Sequence, residues 1–293
     1  MARLDELLDA IAAAPSGPQI AAFFDYDGTV IDGFSAAAFY RHRIRHAEIG
    51  PVELAKTMLG QARGIVTGED FEKFLKMALG AWRGRSEEEV TGIAERLFKH
   101  EIAGRLHWET WRLVQAHHAQ GHRVVLASSA TRFQVEPMAR EIAADHVLCT
   151  PVEVVDGLIT GRTAGPVLWG EGKARGARAL AAEHDLDLDE CFAYSNGAED
   201  VPFLEVAGHP VCIDPEPGLA SVADERRWPI LRCAPRPSMP GARDVARTAG
   251  FYGAMAAAGW AGAGIGLLRG SRRAMVDVIG SVGPDLGDRK SVV

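Results

Sequence analysis

Two aspartates one residue apart, Asp25 and Asp27, close the apolar run Ala21-Ala22-Phe23-Phe24 and are followed at once by Gly28-Thr29-Val30. An apolar run that stops at turn residues reads as a buried strand. Alternation along a strand points residues 25 and 27 to one side, so two carboxylates share the space above the strand end. Carboxylates that close repel one another unless a cation or a shared proton intervenes. Mg²⁺ suits the place, because it takes hard oxygen ligands and keeps positions open for phosphate oxygens. One carboxylate is then available as a nucleophile and the other as a general acid and base. A bare Asp-x-Asp is as readily a turn cap, but the apolar run before this pair and the Gly-Thr after it favour chemistry.

Other polar groups recur at the ends of apolar runs. His122–Ala127 is a short strand that finishes at Ser128-Ser129, where a hydroxyl and the N–H groups of an opening helix can bind phosphate oxygens. Gly170-Glu171-Gly172-Lys173 leads into a helix over 174–183. The dipole at a helix N-terminus does not favour a cation, so Lys173 needs an anionic partner. Cys191–Ser195 is a further strand, followed by Asn196, Glu199 and Asp200, and oxygen ligands four residues apart after a strand suit one metal ion.

These groups need a scaffold, and the chain is long enough for one. Its 293 residues can bury a substantial core, and 47% hydrophobic with 24% charged residues is ordinary for a globular protein. A net charge of −7 gives no support to a nucleic-acid partner. Cys149, Cys191, Cys212 and Cys233 lie far apart, without Cys-x-x-Cys spacing, and read as reduced thiols. The charged, amphipathic N-terminus lacks the apolar core of a signal peptide, so a cytoplasmic catalytic part is expected.

Along the chain, residues 3–14 form a predicted helix closed by Pro15-Ser16-Gly17-Pro18, and the first strand then ends at Asp25. From Phe34 to about His107 the periodicity turns helical, with helices expected over 52–59, 71–77 and from Ser86, where a capping box starts. The run Arg41-His42-Arg43-Ile44-Arg45-His46 in this insertion steers an anion or forms a solvated helix face, and Arg63, Arg83 and Arg85 are further candidate contacts for phosphate. After residue 107 come a helix over 108–119, the strand before Ser128, a strand over 147–150 and a hairpin over 152–163 turning at Asp156-Gly157. Strands at 210–213 and near Trp228–Leu231 follow.

Asp25-Tyr26-Asp27-Gly28-Thr29-Val30 resembles the first motif of the haloacid dehalogenase-like (HAD) phosphatases. Ser128, Lys173 and the Asn196–Asp200 segment match that family's later motifs in order, over about residues 20–232. The resemblance, strongest to the phosphoserine phosphatase-like subclass, implies a Rossmann-like α/β core with a parallel sheet over 1–32 and 108–235 and an inserted helical cap of C1 type over 33–107. It implies a phosphomonoester hydrolase acting on a small phosphorylated substrate, with Asp25 attacking phosphorus and Asp27 protonating the leaving oxygen and then activating water. It places Gly28, Thr29, Ser128, Ser129 and Lys173 around the phosphoryl group, and Mg²⁺ or Mn²⁺ on Asp25, Asp27, Asn196 and Asp200. Relatives mostly carry Asp where this chain has Asn196, so weaker metal binding or a shifted metal preference is expected.

The subclass has a glutamate nine positions after the nucleophile to read a substrate amino group, and here that position is Phe34. An apolar ring forms no salt bridge with an ammonium, which points to a substrate without an amino-acid headgroup. Residues 236–293 form an Ala/Gly-rich tail whose stretch 248–268 is uncharged and flanked by arginines, a linker or a segment that meets a membrane surface. Chains resembling this one are often fused to an acyltransferase. Phe34 and the tail give one rival reading, a membrane-associated glycerophosphate or lipid-phosphate phosphatase, and Asn196 gives another, a degenerate phospho-ligand-binding module or regulator of a fused acyltransferase.

Overall fold

The computed structural model describes residues 2–50 and 67–234. The helix expected over 52–59, Arg63 and the whole tail from 236 lie outside these residues. Helix α1 (Leu4–Ala13) precedes strand β1 (Ala21–Asp25). Helices α2 (Ala36–Arg45), α3 (Gly68–Gly80) and α4 (Glu87–Leu97) come next. Then follow α5 (Trp108–Gln120), β2 (Arg123–Thr131), α6 (Arg132–Glu141) and β3 (His146–Thr150). A hairpin of β4 (Val152–Val155) and β5 (Leu158–Thr163) leads to α7 (Glu171–Glu183) and β6 (Phe192–Ser195). The short α8 (Val201–Leu204), β7 (His209–Ile213), α9 (Pro217–Arg226) and β8 (Ile230–Leu231) complete the order.

The main sheet has the order β3-β2-β1-β6-β7-β8, and every pairing in it is parallel. Each crossover carries a helix, which is why both faces are covered and the strands are apolar throughout. All five residues of β1 are buried, and their alternation divides the core in two. Ala22 and Phe24 join the cluster that holds Leu7, Ile11, Leu113 and Val114, whereas Ala21 and Phe23 join that of Ala174, Ala177, Phe203 and Leu219. Each buried ring contributes about 1.5–3 kcal/mol.

The chain order reverses at β1, which pairs with β2 on one side and β6 on the other. In an open parallel sheet, the carboxyl ends of the strands at such a reversal frame a crevice. Asp25 is the last residue of β1 and Ser195 the last of β6, so the sequence motifs converge at that point.

The inserted helices pack on the same core through Leu79, Trp82, Val90 and Leu97. The hairpin supports them: Gly84 N–H donates to the Ile159 carbonyl, and Ile159 N–H to the Arg85 carbonyl. Its turn uses Asp156 and Gly157 at φ 51° and 75°, the two positive values that a two-residue type I′ connection requires. Glu87 and Glu95 of α4 pair with Arg132 and Arg140 of α6.

Two expected boundaries move. The second strand does not stop at Ser128-Ser129 but runs to Thr131, because its ladder with β3 resumes at Thr131 and Thr150 after an irregularity. The helix expected from residue 174 starts at Glu171, since Gly170, at φ 54°, turns the chain sharply just before it.

Candidate active site

The loop after β1 is wound tightly enough to fix what it carries. The Tyr26 carbonyl accepts the N–H groups of Thr29, Val30 and Ile31, while Gly28 N–H donates to the carbonyls of Ile31 and Gly33. Gly28 sits at φ +80°, and a Cβ there would fall 2.2 Å from Asn196 Nδ2. Only glycine allows the β1 loop and the β6 loop to approach this closely.

Lys173, in the first turn of α7, finds the anionic partners that its position demands. Its Nζ lies 2.7 Å from Asp25 Oδ1 and 2.5 Å from Asp200 Oδ2, with all three side chains buried. The other Asp25 oxygen accepts from the Thr29 hydroxyl at 3.0 Å, and that hydroxyl lies 3.3 Å from Asn196 Oδ1. Asp200 Oδ2 also accepts from the Ser195 hydroxyl at 2.6 Å. Thus Asp25, Thr29, Lys173, Asn196 and Asp200 lie together, with Gly28 against Asn196.

Asp27 has separate partners. The backbone N–H of Ser35 donates to its Oδ1 at 2.7 Å and the Ser35 hydroxyl to its Oδ2 at 3.1 Å. Gln134 Nε2 in turn reaches the Ser35 hydroxyl at 3.3 Å. Ser128 is buried on β2, one residue past Ala127, the register partner of Asp25, and its hydroxyl accepts from Ala130 N–H at 3.1 Å. Ser129 stays within the strand, where its carbonyl accepts from the Thr150 hydroxyl at 2.8 Å. The helix N-terminus expected at Ser129 begins instead at Arg132, capped by Thr131.

Burial dominates the electrostatics. Desolvation raises Asp25 above the ordinary carboxylate range despite Lys173. It pushes Asp27 up to about 7, with Asp25 adding to the rise and the Ser35 hydrogen bonds opposing it. For Lys173, burial disfavours the charge, but Asp200 and Asp25 together outweigh it and raise the pKa. Glu199 is raised by burial and by Asp200.

The donor set fits a hard divalent cation. Asp200 Oδ1 is buried and without a hydrogen-bond partner, although its twin oxygen has two. A buried carboxylate oxygen left unpaired is costly unless a cation meets it. The oxygens of Asp25, Asn196 and Asp200, with the Asp27 carbonyl, are the atoms that could hold Mg²⁺.

Two groups were not legible as site residues. Ser35 lies beyond the first motif and meets Asp27 only because the loop folds back. Ser195 closes its strand, and its place immediately before Asn196 is the available signal.

Among the described residues, the arginines singled out in the insertion have structural partners. Arg41 and Arg45 share Glu101, Arg43 is buried and donates to the Glu48 carbonyl, Arg83 donates to the Thr160 carbonyl, and Arg85 pairs with Glu48 and Glu89. Phe34 is 61% exposed, beside the buried Ser35.

A doubly wound parallel sheet with carboxylates and a lysine at its reversal point is an α/β core suited to phosphoryl chemistry. The chain belongs to the haloacid dehalogenase-like hydrolase family, whose model matches residues 22–205. It is 33% identical over 262 residues to phosphoserine phosphatase SerB1 of Mycobacterium tuberculosis (strain H37Rv), which covers 84% of this chain and 85% of that one. A solved protein of unknown function from Bordetella pertussis superposes with a TM-score of 0.65 at 27% identity, over 74% of this chain and 99% of that one. A probable phosphoserine phosphatase from Vibrio cholerae shares the fold, with a TM-score of 0.55 at 21% identity over 76% and 64% of the two chains.

Proposed function

We propose that the protein is a phosphatase that hydrolyses a small phosphomonoester through an aspartyl-phosphate on Asp25. The observation that carries this reading is Lys173 set between Asp25 and Asp200. A buried ammonium keeps the Asp25 carboxylate anionic and offsets charge on an incoming phosphoryl group. The phosphatase-named relative at 33% identity supports the same class.

In the proposed reaction an Asp25 oxygen attacks phosphorus and the ester P–O bond breaks. Asp27 gives its proton to the leaving alkoxide. The Asp27 carboxylate then takes a proton from water, the water oxygen attacks phosphorus, the bond to Asp25 breaks and inorganic phosphate leaves. A pKa of about 7 lets Asp27 serve both halves at neutral pH. Ser128 and Lys173 hold phosphoryl oxygens, with Gly28, Thr29 and Ser129 as further contacts. Mg²⁺ held by Asp25, the Asp27 carbonyl, Asn196 and Asp200 supplies charge neutralisation; Mn²⁺ is the substitute.

In this reading residues 33–107 form a cap over a core of 1–32 and 108–235. The exposed Phe34 beside Ser35 disfavours a substrate with an ammonium group, and it also favours a second reading, a lipid or glycerol phosphate substrate. The test is phosphate release from phosphoserine, glycerol phosphates and lysophosphatidate with Mg²⁺ or Mn²⁺, using Asp25→Asn as the blank. Metal-dependent release absent from the blank supports a phosphatase, and the preferred compound decides between the two substrate readings. Binding without release by the folded protein would replace both with a regulatory module.

A further inference from the structure

A second group of chemistry-bearing side chains gathers near β8, at the edge of the sheet. A ligand atom of each of His107, Asp214 and Cys233 lies within 4.8 Å of the other two. Three parts of the fold bring them there. His107 precedes α5 as its N-cap, Asp214 directly follows β7, and Cys233 stands two residues after β8. Glu109, in the first turn of α5, joins them: its Oε1 accepts Ala234 N–H at 2.9 Å, and the Cys233 thiol faces both Asp214 and Glu109.

We propose that His107, Asp214 and Cys233 form a Zn²⁺ site separate from the Asp25 centre, with Glu109 beside the thiol. The donor types select the ion. A thiolate and an imidazole suit borderline-soft Zn²⁺ and reject Mg²⁺, which wants oxygens alone. Metal–ligand bonds of about 2.0–2.3 Å set donors of a tetrahedral site about 3.3–3.7 Å apart, so the cluster needs only a small closure. Charge points the same way, since the Asp214 and Glu109 carboxylates face the Cys233 thiol and the nearby cation, Arg232, stands 3.8 Å from Asp214. A dication offsets that concentration of negative charge.

The backbone holds the donors in place. Asp214 adopts φ 40°, its N–H donates to the Leu231 carbonyl, and Cys233 N–H reaches Asp214 Oδ2 at 3.2 Å. The site fastens the exit of β8 to the start of α5. There His107 N–H donates to the Val30 carbonyl and the Thr110 hydroxyl to the Thr29 carbonyl, each at 2.9 Å. Zn²⁺ therefore braces the loop that carries Thr29, the hydrogen-bond donor to Asp25.

The test uses the full chain carrying Asp25→Asn, so that the catalytic centre is altered while the second site is intact. Co²⁺ is the spectroscopic probe. The expected result is a thiolate-to-cobalt charge-transfer band that saturates at one ion per chain, is removed by Zn²⁺, and is lost in Cys233→Ser and in His107→Gln. Zn²⁺ is further expected to raise the melting temperature of the parent and not of Cys233→Ser. That rise is read within each variant, so a general loss of stability does not imitate it. Absence of the band, or its persistence in Cys233→Ser, would overturn the proposal.

Discussion

Ser35 grips Asp27 with both of its donors, the backbone N–H at 2.7 Å on one carboxylate oxygen and the hydroxyl at 3.1 Å on the other. These bonds lower the pKa of Asp27 against the burial that raises it to about 7. Ser35→Ala keeps the N–H and removes the hydroxyl. The expected outcome is an upward shift of the pH–rate limb set by Asp27, with kcat reduced by roughly tenfold, the worth of one hydrogen bond to a charged group. An unchanged pH–rate profile would contradict the role given to Asp27.

Lys173→Met strands the carboxylates of Asp25 and Asp200 in the core. Breaking a buried ion pair from one side costs about 3–5 kcal/mol. The loss should be larger at pH 8 than at about pH 5, because Asp25, already raised by burial and now without the lysine that lowers it, takes up a proton as the pH falls. Urea unfolding of the metal-free variant and parent at the two pH values measures it. A loss below about 1 kcal/mol at both would show that Lys173 carries little of the site's charge balance.

Asn196 stands 3.3 Å from the Thr29 hydroxyl and against Gly28. Asn196→Asp returns a negative charge to the proposed metal site without a change of shape. The Mg²⁺ concentration for half-maximal activity should fall roughly tenfold, since affinity rises with ligand charge. An unchanged requirement would remove Asn196 from the ligand set.

Much of this was legible before the fold. β1 and β6 announced themselves by apolar runs ending in polar residues, and Lys173 by a cation where a helix dipole resists one. The two positive-φ residues of the 156–157 turn followed from Asp-Gly. What the sequence could not show was pairing across distance. Ser35 and Asp27 meet through a folded-back loop, and the strand order places β6, not β3, beside β1. The strand before Ser128 ran on to Thr131 because its partner strand, not its own composition, decides where the ladder ends.

A buried histidine chain illustrates the same limit. His117 Nδ1 lies 2.9 Å from His122 Nδ1, His117 Nε2 lies 2.8 Å from the Tyr194 hydroxyl, and His122 Nε2 lies 2.8 Å from the Pro15 carbonyl. A carbonyl only accepts, so His122 donates through Nε2. Its Nδ1 therefore accepts from His117, and His117 Nε2 accepts from Tyr194. Burial, with His122 and His118 nearby, lowers the His117 pKa well below 6.5, and burial lowers that of His122.

A histidine depressed in the folded state binds fewer protons there than when unfolded. Its contribution is complete above about pH 6.5 and is lost as the pH falls, at up to about 1.4 kcal/mol per unit. Asp25 and Asp27, raised on folding, act with the opposite sign. The difference in unfolding free energy between parent and His117→Gln cancels their part. The parent's advantage should shrink between about pH 7 and pH 5, and a constant difference would contradict the neutral chain.

The proposed reaction turns on a covalent bond between Asp25 and phosphorus. Acid quenching during turnover of the best phosphomonoester, followed by borohydride reduction and peptide mapping, tests it most directly. Reduction is expected at Asp25, in the peptide that carries Tyr26 and Asp27, with no label in Asp25→Asn. Label on another residue, or phosphate release by a folded Asp25→Asn at the parent's rate, would contradict it.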